Sequence, residues 1–325
     1  MSSNESWTGN LIQIIKLGAN DTIDGCYVLL SDKIAIIDTG SSPSIANNVL
    51  KTIKANERDV EDINYIILTR THPWTIGGLQ SLLKQTEAKI VVHQNGKEIL
   101  EHGRSATLKH QFGIEGTGDK VLASVTSTTL GSVHKVKTTT LEKRFQFTEK
   151  DETLDLGSDT LLVESTGGHS GDHLMAYSVQ EKAAFVGGET IFYPNNHYSF
   201  FFDQTGSPNR RIKALKMMSN MTKKGLEILC STHIPPAIKE NAFELAENCI
   251  MAQDHTQQAI HEIMLSVSAA KTPYVADELS KTLEMKWKRP YSSLRVYELT
   301  VEKLLENLEV EGKVSRDEES RWHIE

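Results

Sequence analysis

The stretch Ile66-Ile67-Leu68-Thr69-Arg70-Thr71-His72-Pro73-Trp74-Thr75-Ile76-Gly77-Gly78 decides how this chain is read. Tyr65 to Leu68 is short, apolar and β-branched, the pattern of a strand buried on both faces. A loop carrying a guanidinium, an imidazole and an indole follows, and a helix is expected from Gly77 to Lys84. Upstream, strands are expected over 11–17, 26–30 and 33–37, the last ending in the turn signal Asp38-Thr39-Gly40. An amphipathic helix from Ile45 to Ala55, capped by Ser42 or Ser44, separates them from Tyr65. Lys89 to His93 continues the strand and helix alternation.

From about 103 to 150 the chain turns polar and rich in Thr, Ser and Lys, which marks an insertion or long loop with a strand-like piece at Lys143 to Phe147. Strand patterns return at Thr160 to Glu164, His173 to Tyr177 and Ala183 to Val186, as for a second sheet. Strand clusters in both halves with helices between them favour two packed sheets covered by helices, an α/β (α+β) sandwich. Near Phe243 the period becomes helical, over Glu244–Val267, Val275–Trp287 and Ser293–Leu308. Gly312-Lys313-Val314 and Arg321-Trp322-His323-Ile324 then suggest a hairpin. Three helices and a hairpin describe a winged helix, so the expected division is 1–242 and 243–325.

The 325 residues are 38% apolar and 24% charged, which excludes a disordered chain, a collagen or a coiled-coil rod. The formal charge of −8 disfavours a global grip on nucleic acid or anionic membrane. No basic leader with an apolar stretch opens the chain and no apolar run reaches membrane-spanning length, so the expected location is the cytoplasm. Cys26, Cys230 and Cys249 form no Cys-x-x-Cys pair, which fits free thiols in a reducing compartment rather than disulfides or a thiolate zinc site.

The opening stretch resembles the Thr-His-x-His-x-Asp-His-x-Gly-Gly motif of the metallo-β-lactamase superfamily. The flanking strand and Gly77-Gly78 match without gaps. The family's first metal histidine falls on Arg70, its second on His72, its metal aspartate on Trp74 and its last histidine on Thr75. Ala35-Ile36-Ile37-Asp38-Thr39-Gly40 resembles the early strand with its buried aspartate. Thr166-Gly167-Gly168-His169-Ser170-Gly171-Asp172-His173 resembles the Gly-His-Thr-x-Gly-His loop. Phe185-Val186-Gly187-Gly188-Glu189-Thr190 stands in place of the Gly-Asp turn, with Gly188 where the metal-bridging aspartate belongs and Glu189 one residue late. Ser231-Thr232-His233 matches the final histidine. The resemblance runs from about 30 to 235, and the tail is similar to the winged-helix extension of one branch. It implies an αββα sandwich followed by a small winged-helix domain.

Zinc hydrolases of this type converge neutral imidazoles and carboxylates on one or two ions and keep a position open for water. With one ligand of four left in the first motif, the resemblance implies a degenerate metal site in which a dinuclear zinc centre is disfavoured. The surviving metal candidates are His72, His169 and His233, enough for a single zinc, iron or manganese ion at most. Asp38, Arg70, Trp74, Thr75, His173 and Glu189 are the remaining pocket candidates. Arg70 stays protonated where an imidazole would donate a lone pair. It either pairs internally with Asp38 or Glu189 or receives the carboxylate or phosphate of a small ligand. His173 either contacts substrate or makes a loop hydrogen bond. The aromatic run Tyr193, His197, Tyr198, Phe200, Phe201 and Phe202 is placed at the pocket rim, lining a cleft or a subunit interface.

The expected function is a ligand-binding or scaffolding pseudoenzyme on a hydrolase fold. The alternative is a hydrolase of an ester, thioester, lactone or phosphodiester using one rearranged ion, and RNA processing ranks third. The expected partners are a small anionic ligand and a second copy of the chain, with nucleic acid and membrane disfavoured. In residues 272–325, nine Lys and Arg face twelve Asp and Glu, and Glu298, Glu302, Glu306 and Glu309 stripe the would-be recognition helix. That segment is expected to pack or to cover the site.

Overall fold

The computed structural model describes residues 2–6, 10–17, 23–113, 134–187, 190–191, 202–282 and 292–325. Two mixed sheets lie face to face. The first runs in the order β1 (Ser2–Ser6), β2 (Leu11–Leu17), β3 (Ile23–Leu30), β4 (Ile34–Ile37), β5 (Ile63–Ile67), β6 (Lys89–His93) and β7 (Phe145–Thr148). It is antiparallel up to β4 and parallel from β4 to β7. The second contains β8 (Glu152–Asp155), β9 (Thr160–Ser165), β10 (Leu174–Ser178), β11 (Ala183–Val186), β12 (Ile228–Ser231) and β13 (Ala237–Ile238), with β11 and β12 parallel and the other neighbours antiparallel.

Strand alternation sorts the apolar residues into layers, because successive side chains point to opposite faces. Ala35, Ile37, Ile67 and Val91 point inward and meet Leu161, Val163, Ala176 and Phe185 of the second sheet. Ile34, Ile36, Ile66, Ile90 and Val92 point outward, under α1 (Pro43–Ala55), α2 (Pro73–Ile76) and α3 (Leu79–Leu83), where Ile45, Val49, Ile53, Leu79 and Leu82 cover them. The outer face of the second sheet, with Met175, Ala184, Val186 and Leu229, is covered by α7 (Pro208–Lys223) and α8 (Glu240–Val267). This is the αββα sandwich. Tyr27 stitches its two sheets, donating its hydroxyl to the Ser231 carbonyl at 2.6 Å. Cys26, Cys230 and Cys249 are buried thiols, joined in no disulfide.

The first sheet is prolonged by segments that fall in the polar stretch. Before that stretch α4 (Lys97–His102) leads into α5 (Arg104–Phe112), and within it α6 (Thr138–Arg144) delivers the edge strand β7. Residues 114–133 of that stretch lie outside the described residues. At the C-terminus α8 continues into α9 (Thr272–Thr282) and α10 (Ser292–Val310). Strands β14 (Ala269–Ala270), β15 (Val314–Arg316) and β16 (Trp322–Ile324) form a small sheet in the order β14-β16-β15. Leu279, Val301, Leu305 and Trp322 share one apolar cluster with the second sheet and α7. Of the helix expected to Trp287, residues 283–287 lie outside the described residues.

The helix expected from Gly77 begins earlier and is broken in two. Pro73 follows the His72 N-cap at the first helical position, where its fixed φ is tolerated. Gly77 and Gly78 separate α2 from α3 because the chain there lies on the loop after β4. A Cβ on Gly77 would sit 2.1 Å from the Ser41 carbonyl oxygen, and one on Gly78 2.3 Å from that of Thr39. Likewise α1 starts at Pro43 rather than Ile45, and Ser42, its N-cap, makes no side-chain cap bond. We predict that Gly77→Ala lowers unfolding stability by about 1–3 kcal/mol, the range for forcing atoms into packed space. Urea unfolding of the variant against the parent chain measures it, and an unchanged midpoint contradicts the close approach.

Candidate functional site

The carboxyl ends of β4, β5, β9, β11 and β12 lie at one end of the sandwich, and their loops meet there. Asp38, just after β4, has a backbone φ of +61°, a left-handed conformation that a non-glycine residue adopts only where its surroundings fix it. Its side chain is fully buried and accepts from the Thr69 backbone N–H at 2.8 Å and the Thr69 hydroxyl at 2.7 Å. Burial pushes its pKa up to about 7, with the Thr69 bonds and the nearby Arg70 charge opposing the rise. Thr75 closes the loop from the other side. Its hydroxyl donates to the Arg70 carbonyl at 2.7 Å, with the His72 carbonyl at 2.9 Å, while its own carbonyl takes the Thr39 N–H and hydroxyl. Asp38 and Thr75 thus act on the loop's backbone.

Arg70 is fully buried and reaches across to the loop after β12, with its Nη2 3.0 Å from His233 Nε2. A guanidinium only donates, so His233 Nε2 is the acceptor and its lone pair is engaged. Trp74, half-buried, stacks on the His72 ring at 5.2 Å and meets the His233 ring edge-on at 5.9 Å. The His72 and His169 rings lie 5.4 Å apart, edge to face. The structure therefore brings Arg70, His72, Trp74, His169 and His233 into one neighbourhood. Among the described residues no group of three or more His, Cys, Asp or Glu side chains is arranged to hold a metal ion. Gly188, Glu189, Tyr193, His197, Tyr198, Phe200 and Phe201 lie outside the described residues, and Phe202 is buried in the apolar cluster over the second sheet.

His173 is fully buried and bonded at both ring nitrogens, Nδ1 to the Thr166 hydroxyl at 2.8 Å and Nε2 to the Gly187 carbonyl at 3.0 Å and the Thr190 hydroxyl at 2.9 Å. A carbonyl only accepts, so Nε2 carries the proton and Nδ1 accepts from Thr166. Burial holds the imidazole neutral, with its pKa down at about 3.

Two acidic residues outside the sequence-derived set belong to the same end of the fold. Asp172 Oδ2 accepts from the Thr71 N–H at 2.7 Å and the Thr71 hydroxyl at 2.5 Å, and so locks the loop next to Arg70. Asp203 Oδ1 accepts from the N–H and hydroxyl of Thr205, both at 2.8 Å, and its own N–H donates to the His169 carbonyl. Burial pushes the Asp203 pKa up to about 8, and the Asp172 charge raises it further. Both carboxylates line a cavity of about 620 Å³ bordered by α4 and by His110 of α5. Asp172 stood inside a quoted motif and carried no role of its own, and nothing in the sequence around Asp203 pairs it with Asp172.

A family profile described as the Metallo-beta-lactamase superfamily matches residues 26–233. A metallo-beta-lactamase family protein from Thermus thermophilus superposes with a TM-score of 0.71 at 16% identity, covering 98% of this chain and all of that one. A beta-lactamase domain protein from Burkholderia ambifaria gives 0.71 at 14% identity over 99% and 94% of the two chains. A metallo-beta-lactamase from Pontibacter korlensis gives 0.56 at 14% identity over 78% and 99%. At these identities the likeness is one of fold. A search among curated proteins finds no match to the sequence.

We predict that His173 stays neutral, with its proton on Nε2, from pH 8 down to about pH 4, as nitrogen chemical shifts of the imidazole will read out. In the unfolded chain the ring takes up a proton near pH 6.5, while the folded ring does so only near 3. Between these values the unfolded state binds more protons, so this group's contribution to stability is present above pH 6.5 and is lost as pH falls towards 3. A His173 resonance titrating near pH 6.5 contradicts the assignment.

Proposed function

The chain belongs to the metallo-beta-lactamase superfamily, and from that premise we propose that it is a hydrolase-like pseudoenzyme whose metal site is replaced by an internal cation, the Arg70 guanidinium. The observation that carries this reading is the 3.0 Å contact from Arg70 Nη2 to His233 Nε2. It places a permanent positive charge against the imidazole that a metal would need, and a second cation beside it is opposed electrostatically. With Trp74 packed between the rings of His72 and His233, the residues present do not fit a dinuclear zinc centre. Arg70 ties the loop after β5 to the loop after β12, the structural part that a bound cation would play. The ligand we assign to this site is small and anionic, a carboxylate or phosphate that competes for the guanidinium.

The C-terminal helices α8, α9 and α10 with the small sheet form, in this reading, a winged helix over residues 243–325 that covers the sandwich of 1–242. The three buried thiols support a cytoplasmic setting, and among the described residues no helix is long and apolar enough to cross a membrane.

One observation favours a second reading. The His72 and His169 rings stand 5.4 Å apart, so a hydrolase of an ester, thioester, lactone or phosphodiester could hold one zinc, iron or manganese ion there once Arg70 releases His233. Metal analysis separates the two. We expect the purified, dialysed protein to carry well under one equivalent of any of these metals, and excess zinc to leave its melting temperature unchanged. Arg70→Ala, which takes the guanidinium away from His233, is expected to gain zinc-dependent stabilisation, about 2.7 kcal/mol at a hundredfold excess over Kd. A stoichiometric ion that survives dialysis of the parent protein overturns the pseudoenzyme reading.

A further inference from the structure

The cavity beside Asp172 and Asp203 is separate from the Arg70 cluster and has the opposite polarity. At about 620 Å³ it has the size of a small-molecule site. On its rim Lys97 Nζ lies 3.8 Å from Glu101 Oε1, and His110 Nε2 lies 2.8 Å from Glu98 Oε2. Its floor is acidic. Asp172 is 7% exposed and Asp203 6% exposed. Each is tied through one oxygen only, Asp172 by Oδ2 to Thr71 and Asp203 by Oδ1 to Thr205. Among the described residues Asp172 Oδ1 and Asp203 Oδ2 carry no hydrogen bond, and both side chains line the cavity. Two largely buried carboxyl groups, each with an oxygen left over towards a roomy, polar space, offer acceptors to a donor that enters it.

We propose that this cavity binds a small hydrophilic organic cation through its ammonium group, seated between Asp172 Oδ1 and Asp203 Oδ2. An ammonium fits because it is compact and offers three donors that can be shared between two acceptors. Gln94, Asn95 and Thr205 supply amide and hydroxyl groups for the rest of the ligand, and Ile99 is the sole aliphatic side chain among the described lining. The ligand is therefore an amine with polar substituents rather than an apolar one. Among the described residues no His, Cys, Asp or Glu trio here can hold a metal, which favours an organic cation over an inorganic one. The assignment does not depend on how the Arg70 site is read.

Calorimetric titration of the full-length protein with 1,4-diaminobutane, and in parallel with 1,4-butanediol, tests it. We expect the diamine to bind and the diol, equal in length and uncharged, not to bind. With its pKa at about 8, Asp203 gives up its proton as the ammonium seats; Asp203→Asn keeps an oxygen for Thr205 but cannot ionise, so it should weaken diamine binding at least tenfold, about 1.4 kcal/mol. If that variant does not fold, Gln94→Lys tests the same point from the rim by placing a competing cation at the cavity, and the same loss is expected. Equal binding of diamine and diol, no binding of either, or undiminished diamine affinity in the folded variants overturns the proposal. So does tight binding of Mn²⁺ or Ca²⁺ alone that is lost in the same variants.

Discussion

The loop between β5 and α2 is held by two buried carboxylates from outside it, and the rest of the site depends on that grip. Asp38 takes the N–H and hydroxyl of Thr69, and Asp172 takes those of Thr71. Arg70 lies between these two threonines, so its backbone is fixed from both sides before its side chain makes any contact. A buried carboxylate that accepts two donors is strongly directional, and losing one partner leaves a desolvated oxygen. This constraint aims the guanidinium at His233 across the gap between the sheets. It explains how the loop that carries Arg70, Trp74 and Thr75 keeps its path: its backbone is anchored through threonines.

Much of this was legible from residue order alone. The central strands around Ile36, Ile66 and Val91 are apolar on both faces and alternate inward and outward, so they announce themselves as buried sheet. The resemblance singled out Asp38, Gly77-Gly78, the Thr166 to His173 loop and His233, but not where on the sandwich their loops meet. The helix α7 was not legible, because its buried positions mix Ala214, Leu215 and Met218 with Arg211 and Ser219, which blurs the 3.6-residue pattern. Burial of a whole guanidinium is a tertiary fact: Arg211 Nη1 donates to Gln253 and Nη2 to the Thr190 carbonyl, and no local pattern announces partners 42 and 21 positions away. The break between α2 and α3 was missed because it comes from contact with the Ser41 and Thr39 carbonyls, again distant in sequence.

Hydrogen bonds link the C-terminal helices to the site. Gln253 of α8 accepts from Arg211, Arg211 donates to the Thr190 carbonyl, and the Thr190 hydroxyl meets His173 Nε2. Gln253 also donates to the Pro208 carbonyl at the start of α7. The neutral tautomer of His173 is set by the carbonyl of Gly187 in the same loop, so the conformation of the loop after β11 and the protonation of the imidazole are one arrangement.

The helix α8 is 28 residues long, and its apolar side serves two purposes. Leu245 and Cys249 near its start are packed in the cluster that closes the second sheet, while Ile260 and Met264 near its end share that cluster with α9, α10 and Trp322. A rod about 42 Å long thus runs through one continuous apolar cluster shared by the second sheet and the tail. Because the two ends bury their apolar sides in the same cluster, melting of the tail and of that sheet is expected as one cooperative event.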